Sequence, residues 1–162
     1  MPELLTRRDW LASVSGATVV ALLARPAFAA LATRTATHAA PNITIYKSPT
    51  CGCCAKWVDH MRAAGFATTV HDTEGMDAIK AKHGVPAALQ SCHTALAGAY
   101  VIEGHVPAAD VLKLLRDKPA VRGVAAPGMP AGSPGMEMGG AADRFDVIAF
   151  ARDGKTSVFA RH

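Results

Sequence analysis

The sequence predicts an α/β fold, and three observations predict it. Short β-rich runs alternate with runs of helical period along the chain. Gly, Pro, Asp and Ser separate those runs. A Cys-x-x-Cys spacing, Cys51 to Cys54, falls where the first β-rich run gives way to the first helix. Together they describe a thioredoxin-like α/β pattern.

The elements follow in order. Ile43 to Tyr46 reads as a strand ended by Ser48-Pro49. Ala55 to Ala64 reads as a helix, with Trp57, Val58 and Met61 on one face and Gly65 closing it. Phe66 to His71 is the second strand. Met76 to Lys82 is a short helix, closed by His83-Gly84 and Val85-Pro86. Thr94 to Leu96 and Ala99 to Ile102 are two strands around Gly98, and Pro107 to Arg116 is a helix that opens on proline. Its apolar face carries Val111, Leu112 and Leu115. The order is β-α-β-α-β-β-α. The Gly/Pro-rich run from Val121 to Ala142 predicts no regular element. After it, two alternating runs flank Asp153-Gly154, a hairpin turn signal. The expected whole is a thioredoxin-like three-layer domain over residues 43–162 with an added C-terminal β-hairpin.

The N-terminal region reads differently. Arg7-Arg8, the apolar stretch Trp10 to Leu23 and Ala27-Phe28-Ala29 make residues 1–29 an export signal with an A-x-A cleavage pattern. TRRDWL resembles the twin-arginine type, which carries folded proteins. The apolar stretch is shorter than the ~20 residues that span a bilayer, so the membrane enters only through a cleaved signal. Residues 30–42 form a flexible leader, and the expected location is the periplasm. At 162 residues the chain suggests one domain, and 50% hydrophobic with 19% charged residues argues against disorder. The net charge of +4 comes from scattered basic residues, so no nucleic-acid partner is expected.

The chemistry lies in the cysteines. Cys51, Cys53 and Cys54 occupy four positions in SPTCGCCAKW. An oxidising compartment favours disulfides, but a structural framework spreads its cysteines out, and bridges within so short a stretch have poor geometry. Clustering favours a site. A helix N-terminus lowers thiol pKa values, and thiolates are nucleophiles and soft-metal ligands. Dithiol exchange needs one attacking and one resolving thiol, which leaves Cys53 as a competitor. A soft ion such as Cu(I) gains from every added sulfur, and bridging thiolates suit a small cluster. Cys92 precedes a strand expected beside the first one, so it approaches the cysteine loop. Met129 and Met136 lie in the irregular segment, where no period buries a face, and are candidate thioether ligands. Met138 is a weaker candidate, and Met61 and Met76 read as packing. His105, between a strand and a helix, is a candidate ligand. His93 is a lesser one, because neighbours on a strand point to opposite faces.

Four motifs, TIYKSPTCGCCAKW, SCHTA, VIEGHVPAADVLKLL and APGMPAGSPGME, occur in this order. Over about residues 42 to 162 they resemble the CopG-type copper-resistance family of bacterial periplasmic proteins. The resemblance implies a thioredoxin-like fold and copper held through Cys51, Cys53, Cys54 and Cys92, with Met129 and Met136 matching the family's methionine motif. It implies a part in copper tolerance, beside periplasmic copper carriers or efflux components. The expected function is copper binding, as Cu(I) in a thiolate-bridged cluster or with Cu(I)/Cu(II) interconversion. The alternative is a thiol–disulfide oxidoreductase using Cys51 and Cys54. A zinc site ranks third, since zinc has little use for thioethers and a second C-x-x-C is missing.

Overall fold

The computed structural model describes residues 40–162. The expected export signal, residues 1–29, and residues 30–39 of the expected leader lie outside the described residues.

The order of elements is β1 (Asn42–Lys47), α1 (Gly52–Ala63), β2 (Ala67–Asp72), α2 (Met76–His83), a 3-10 turn (Ala87–Leu89), β3 (His93–Ala97), β4 (Tyr100–Gly104), α3 (Ala108–Asp117), β5 (Gly123–Ala126), β6 (Asp146–Phe150) and β7 (Thr156–Arg161). Among the described residues the strands join in one seven-stranded sheet, ordered β2-β1-β3-β4-β5-β6-β7. The β1–β2 and β4–β5 pairs are parallel, and the other four pairs are antiparallel.

Side chains alternate across the sheet and divide the core in two. Ile43, Ile45, Ala95, Ile102, Val124, Ala126 and Val147 pack with Trp57, Val58 and Met61 of α1 and Val111 and Leu114 of α3. Val101, Ala125 and Phe150 face the other way, with Val85 and Leu89 from the chain after α2. The architecture is therefore mixed α/β, with helices against both faces.

Two differences from the sequence reading matter. Helix α1 begins at Gly52, three residues before the expected Ala55, with Cys51 as its extended N-cap (φ −76°, ψ 96°). The Ala55 amide donates to the Cys51 carbonyl at 3.2 Å. The cysteines thus form the helix's N-cap and first turn, in keeping with their expected place at the helix start. Second, the segment read as wholly irregular holds a strand, β5, with all four residues buried. Its sequence, GVAA, has no alternation to read, because both faces are covered. A side chain at Gly123 would collide with the Val101 carbonyl, so only glycine permits this pairing. The expected C-terminal hairpin is present as β6 and β7, turning at residues 151–155.

Candidate metal centre

Strand polarity brings four distant segments to one end of the sheet. Antiparallel pairing of β1 with β3 sets Lys47, the last residue of β1, against His93, the first of β3. The antiparallel β3–β4 pair and the parallel β4–β5 pair bring the last residues of β4 and β5, Gly104 and Ala126, to the same end. The α1 cysteines follow β1, Cys92 precedes β3, His105 follows β4, and the Gly/Pro/Met segment follows β5.

The reactive atoms of Cys51, Cys53, Cys54 and Cys92 all lie within 4.8 Å of one another. Cys51 and Cys54 are joined as a disulfide, while Cys53 and Cys92 are free. The short-range bridge that the sequence reading disfavoured therefore forms across the first helical turn. The Cys53 sulfur lies 3.5 Å from that of Cys51. Cys54 is buried, and the other three are partly exposed, so the cluster opens to solvent.

His105 is fully buried. Its Nδ1 donates to the Pro134 carbonyl at 2.7 Å, which leaves Nε2 unprotonated in the neutral ring, 2.9 Å from the Cys92 sulfur. Burial lowers the pKa of His105, partly offset by the Pro134 hydrogen bond. His93 is also fully buried, its Nδ1 3.5 Å from the Cys92 sulfur. Its ring lies against Trp57 and edge-on to His105, at centroid distances of 4.4 and 5.0 Å. Burial, then the His105, Lys80 and Lys47 charges, hold its pKa well below the ordinary value. Burial, followed by the Cys53 charge, pushes the Cys92 thiol up to about 12. Its proton must leave when a metal binds, so metal affinity rises with pH.

A buried polar group braces this end of the sheet. Glu103 accepts from Lys80, from the Thr94 hydroxyl at 2.7 Å and from the Ser91 amide at 2.7 Å. It thereby fixes the backbone one residue before Cys92. The Trp57 indole donates to the Val106 carbonyl at 2.9 Å and ties α1 to the His105 loop. Gly135, at φ +87°, presses its backbone on the first turn of α1. A Cβ there would stand 2.7 Å from the Cys53 carbonyl and 3.3 Å from His105 Nδ1.

The structure thus brings together Cys51, Cys53, Cys54, Cys92 and His105. Met136, which follows Gly135 in the chain, is partly buried, whereas Met129 is 43% exposed. Met138 is exposed. His93 ranks higher than its sequence suggested, since Cys92 precedes the strand and is free of its alternation. Glu103 and Lys80 carry no sequence signal, because their partners are distant in the chain.

A mixed α/β domain that gathers four cysteines and two histidines at one end of its sheet defines a protein with a metal-binding cysteine cluster. Known proteins narrow this class. Two solved structures of copper resistance protein CopG, form 2 and form 1, are similar to the chain, at 44% and 46% identity with TM-scores of 0.73 and 0.72. They align over 76% and 75% of this chain and 98% of each CopG chain. Residues 89–136 match a family model described as a protein of unknown function, DUF411. A search of the curated proteins returns no match. The chain belongs to the CopG copper-resistance family.

Proposed function

We propose that this protein binds Cu(I) through a thiolate cluster and serves copper tolerance in the periplasm. The observation that carries the reading is the approach of four cysteine sulfurs within 4.8 Å at the start of α1. Backbone amides and the helix dipole favour thiolates there, and no acidic residue in the first turn opposes them. Four thiolates so close suit a multinuclear cluster, with bridging sulfurs between ions. Met136, Met129 and His105 are the additional donors, and the cluster is the place where Cu(I)/Cu(II) interconversion would occur. The β2-β1-β3-β4 order, with the cysteines after β1, supports a thioredoxin-like scaffold. The signal-like residues 1–29 support twin-arginine export, with hand-over to periplasmic copper carriers or efflux components.

Copper binding through all four thiolates requires the Cys51–Cys54 disulfide to be reduced. That disulfide, at a helix N-terminus, supports the second reading, thiol–disulfide exchange. One experiment separates them. The protein is recovered from a periplasmic fraction, where its N-terminus is expected near Ala30. It is then reduced anaerobically and titrated with Cu(I) against a competing chelator. Cys53→Ser is expected to weaken Cu(I) binding by roughly tenfold or more, and copper-edge X-ray absorption should report sulfur ligands. Less than one tightly bound copper per chain, or a Cys53→Ser protein that binds like the parent, would sink the copper reading. Insulin reduction that needs only Cys51 and Cys54 would favour exchange.

A further inference from the structure

Lysines rarely lie buried, but Lys47, the last residue of β1, does: its side chain is 10% exposed. Strand alternation sets it on the face of Ile43 and Ile45, which α1 covers. It stands directly opposite His93 in the β1–β3 pair, so the two side chains leave the sheet on the same side. The His93 ring then packs on Trp57 of α1. The Lys47 ammonium donates to the Ser48 carbonyl at 3.1 Å, and the Cys51 amide donates to the same oxygen at 3.1 Å. One carbonyl thus ties the cation to the N-cap of α1, at most two hydrogen-bond lengths from the Cys51 nitrogen.

Charge balance sets Lys47 apart from the other buried lysine. Lys80 pairs with Glu103, whose side chain is fully buried, so those two charges offset each other inside the fold. Lys47 pairs with Asp72 at 2.8 Å, but the Asp72 side chain is 54% exposed. Water screens the carboxylate far more than the ammonium. No acidic residue in the first turn of α1 opposes the cation. Glu74, 3.4 Å from the Ser48 hydroxyl, and Lys56 are both exposed and screened in the same way. The cysteine end of α1 therefore feels a net positive charge from the sheet beneath it, added to that of its own helix dipole.

A fixed positive charge favours whichever state of its neighbour carries less positive charge. When bound Cu(II) takes up one electron and becomes Cu(I), the site loses one positive charge. We propose that Lys47 is a positioning residue that also tunes the metal: it fixes the turn from Ser48 to Cys51, and its buried charge biases copper held by the α1 cysteines toward Cu(I). The inference rests on the copper reading and adds to it a residue that is not a ligand.

The test measures the copper midpoint potential. Periplasmic protein is reduced, loaded anaerobically with Cu(I) and poised at a series of potentials. An electrode supplies or removes the electron through a soluble mediator, and the Cu(II) paramagnetic resonance signal reports the balance. Lys47→Met is expected to lower the midpoint by about 60 mV, a tenfold shift toward Cu(II) for one electron. Lys47→Arg keeps the charge and should stay near the parent. Asp72→Asn removes the opposing carboxylate and should raise the midpoint, by less, because that carboxylate is screened. Opposite shifts are what a charge produces and what lost packing does not. If Lys47→Met fails to fold, the arginine and Asp72→Asn proteins decide the matter. Midpoints that do not move overturn the proposal, as does Lys47→Arg falling with Lys47→Met, or Asp72→Asn shifting downward. A parent that takes up no copper overturns the copper reading and this inference together. A copper-loaded parent whose midpoint ignores Lys47 and Asp72 overturns this inference alone.

Discussion

At the scale of single residues, Gly135 does what no other residue in its segment does. Its left-handed φ of +87° and missing side chain let the backbone rest on Cys53 and Trp57. Its amide donates to both Glu137 carboxylate oxygens, at 3.0 and 2.9 Å, which holds the turn in place. The neighbouring Pro134 carbonyl then fixes the tautomer of His105. Gly135→Ala meets both the conformational penalty and a 2.7 Å approach to the Cys53 carbonyl. The expected cost is about 1–3 kcal/mol in urea unfolding, with weaker metal binding as the segment lifts from the cysteines. An unchanged unfolding midpoint would mean that the segment does not bear on α1.

At the scale of elements, α2 joins the sheet through a buried ion pair. Lys80 and Glu103 have side-chain exposures of 5% and 0%, and their shared partner Thr94 is equally buried. Replacing such a pair with apolar groups is often tolerated, but removing one partner strands the other charge. Lys80→Met should therefore cost about 3–5 kcal/mol near neutral pH. Burial already raises the pKa of Glu103, against the pull of Lys80, and the substitution removes that pull. With its folded pKa raised above the unfolded value, Glu103 opposes folding once it is ionised. The cost of Lys80→Met should therefore be smaller at pH 5 than at pH 7, because a carboxyl of raised pKa takes up its proton more readily. Urea midpoints of parent and variant at the two pH values check this. A pH-independent difference would point to lost packing by the lysine stem.

At the scale of the whole molecule, buried histidines set how the fold meets acid. Burial depresses the pKa values of His60, His93 and His105, and also that of the less buried His83, where the Arg122 and Lys82 charges add to it. His60 accepts the Ala108 amide at 3.1 Å through Nε2, so protonation would also remove the acceptor at the start of α3. A depressed folded pKa contributes stability that is present above the unfolded value, near 6.5, and is lost as pH falls. Glu103, whose pKa burial raises, works in the opposite sense. The metal-free protein is expected to lose stability between pH 7 and pH 5, read as a falling urea midpoint. A flat profile over that range would mean that the rings are hydrated in solution. Because Cys92, His93 and His105 join the site to the core, a bound metal should reduce this acid sensitivity.

Much of the molecule was legible in the chain. The order of strands and helices up to α3 and the C-terminal hairpin followed from periodicity and turn residues, and the clustering of Cys51, Cys53 and Cys54 from their spacing, while Cys92 was expected beside them only through the assumed pairing of two strands. Those signals are local, since a residue's neighbours along the chain reveal which face it takes. The tertiary structure alone decided the rest. It set His93 beside Cys92, paired Lys80 with Glu103, brought Gly135 onto Cys53, and made a strand of Val124 and its neighbours. Each of these depends on strand direction and on partners far away in the chain. Burial turned them into chemistry, because a polar group sealed from water must find its partner within the fold.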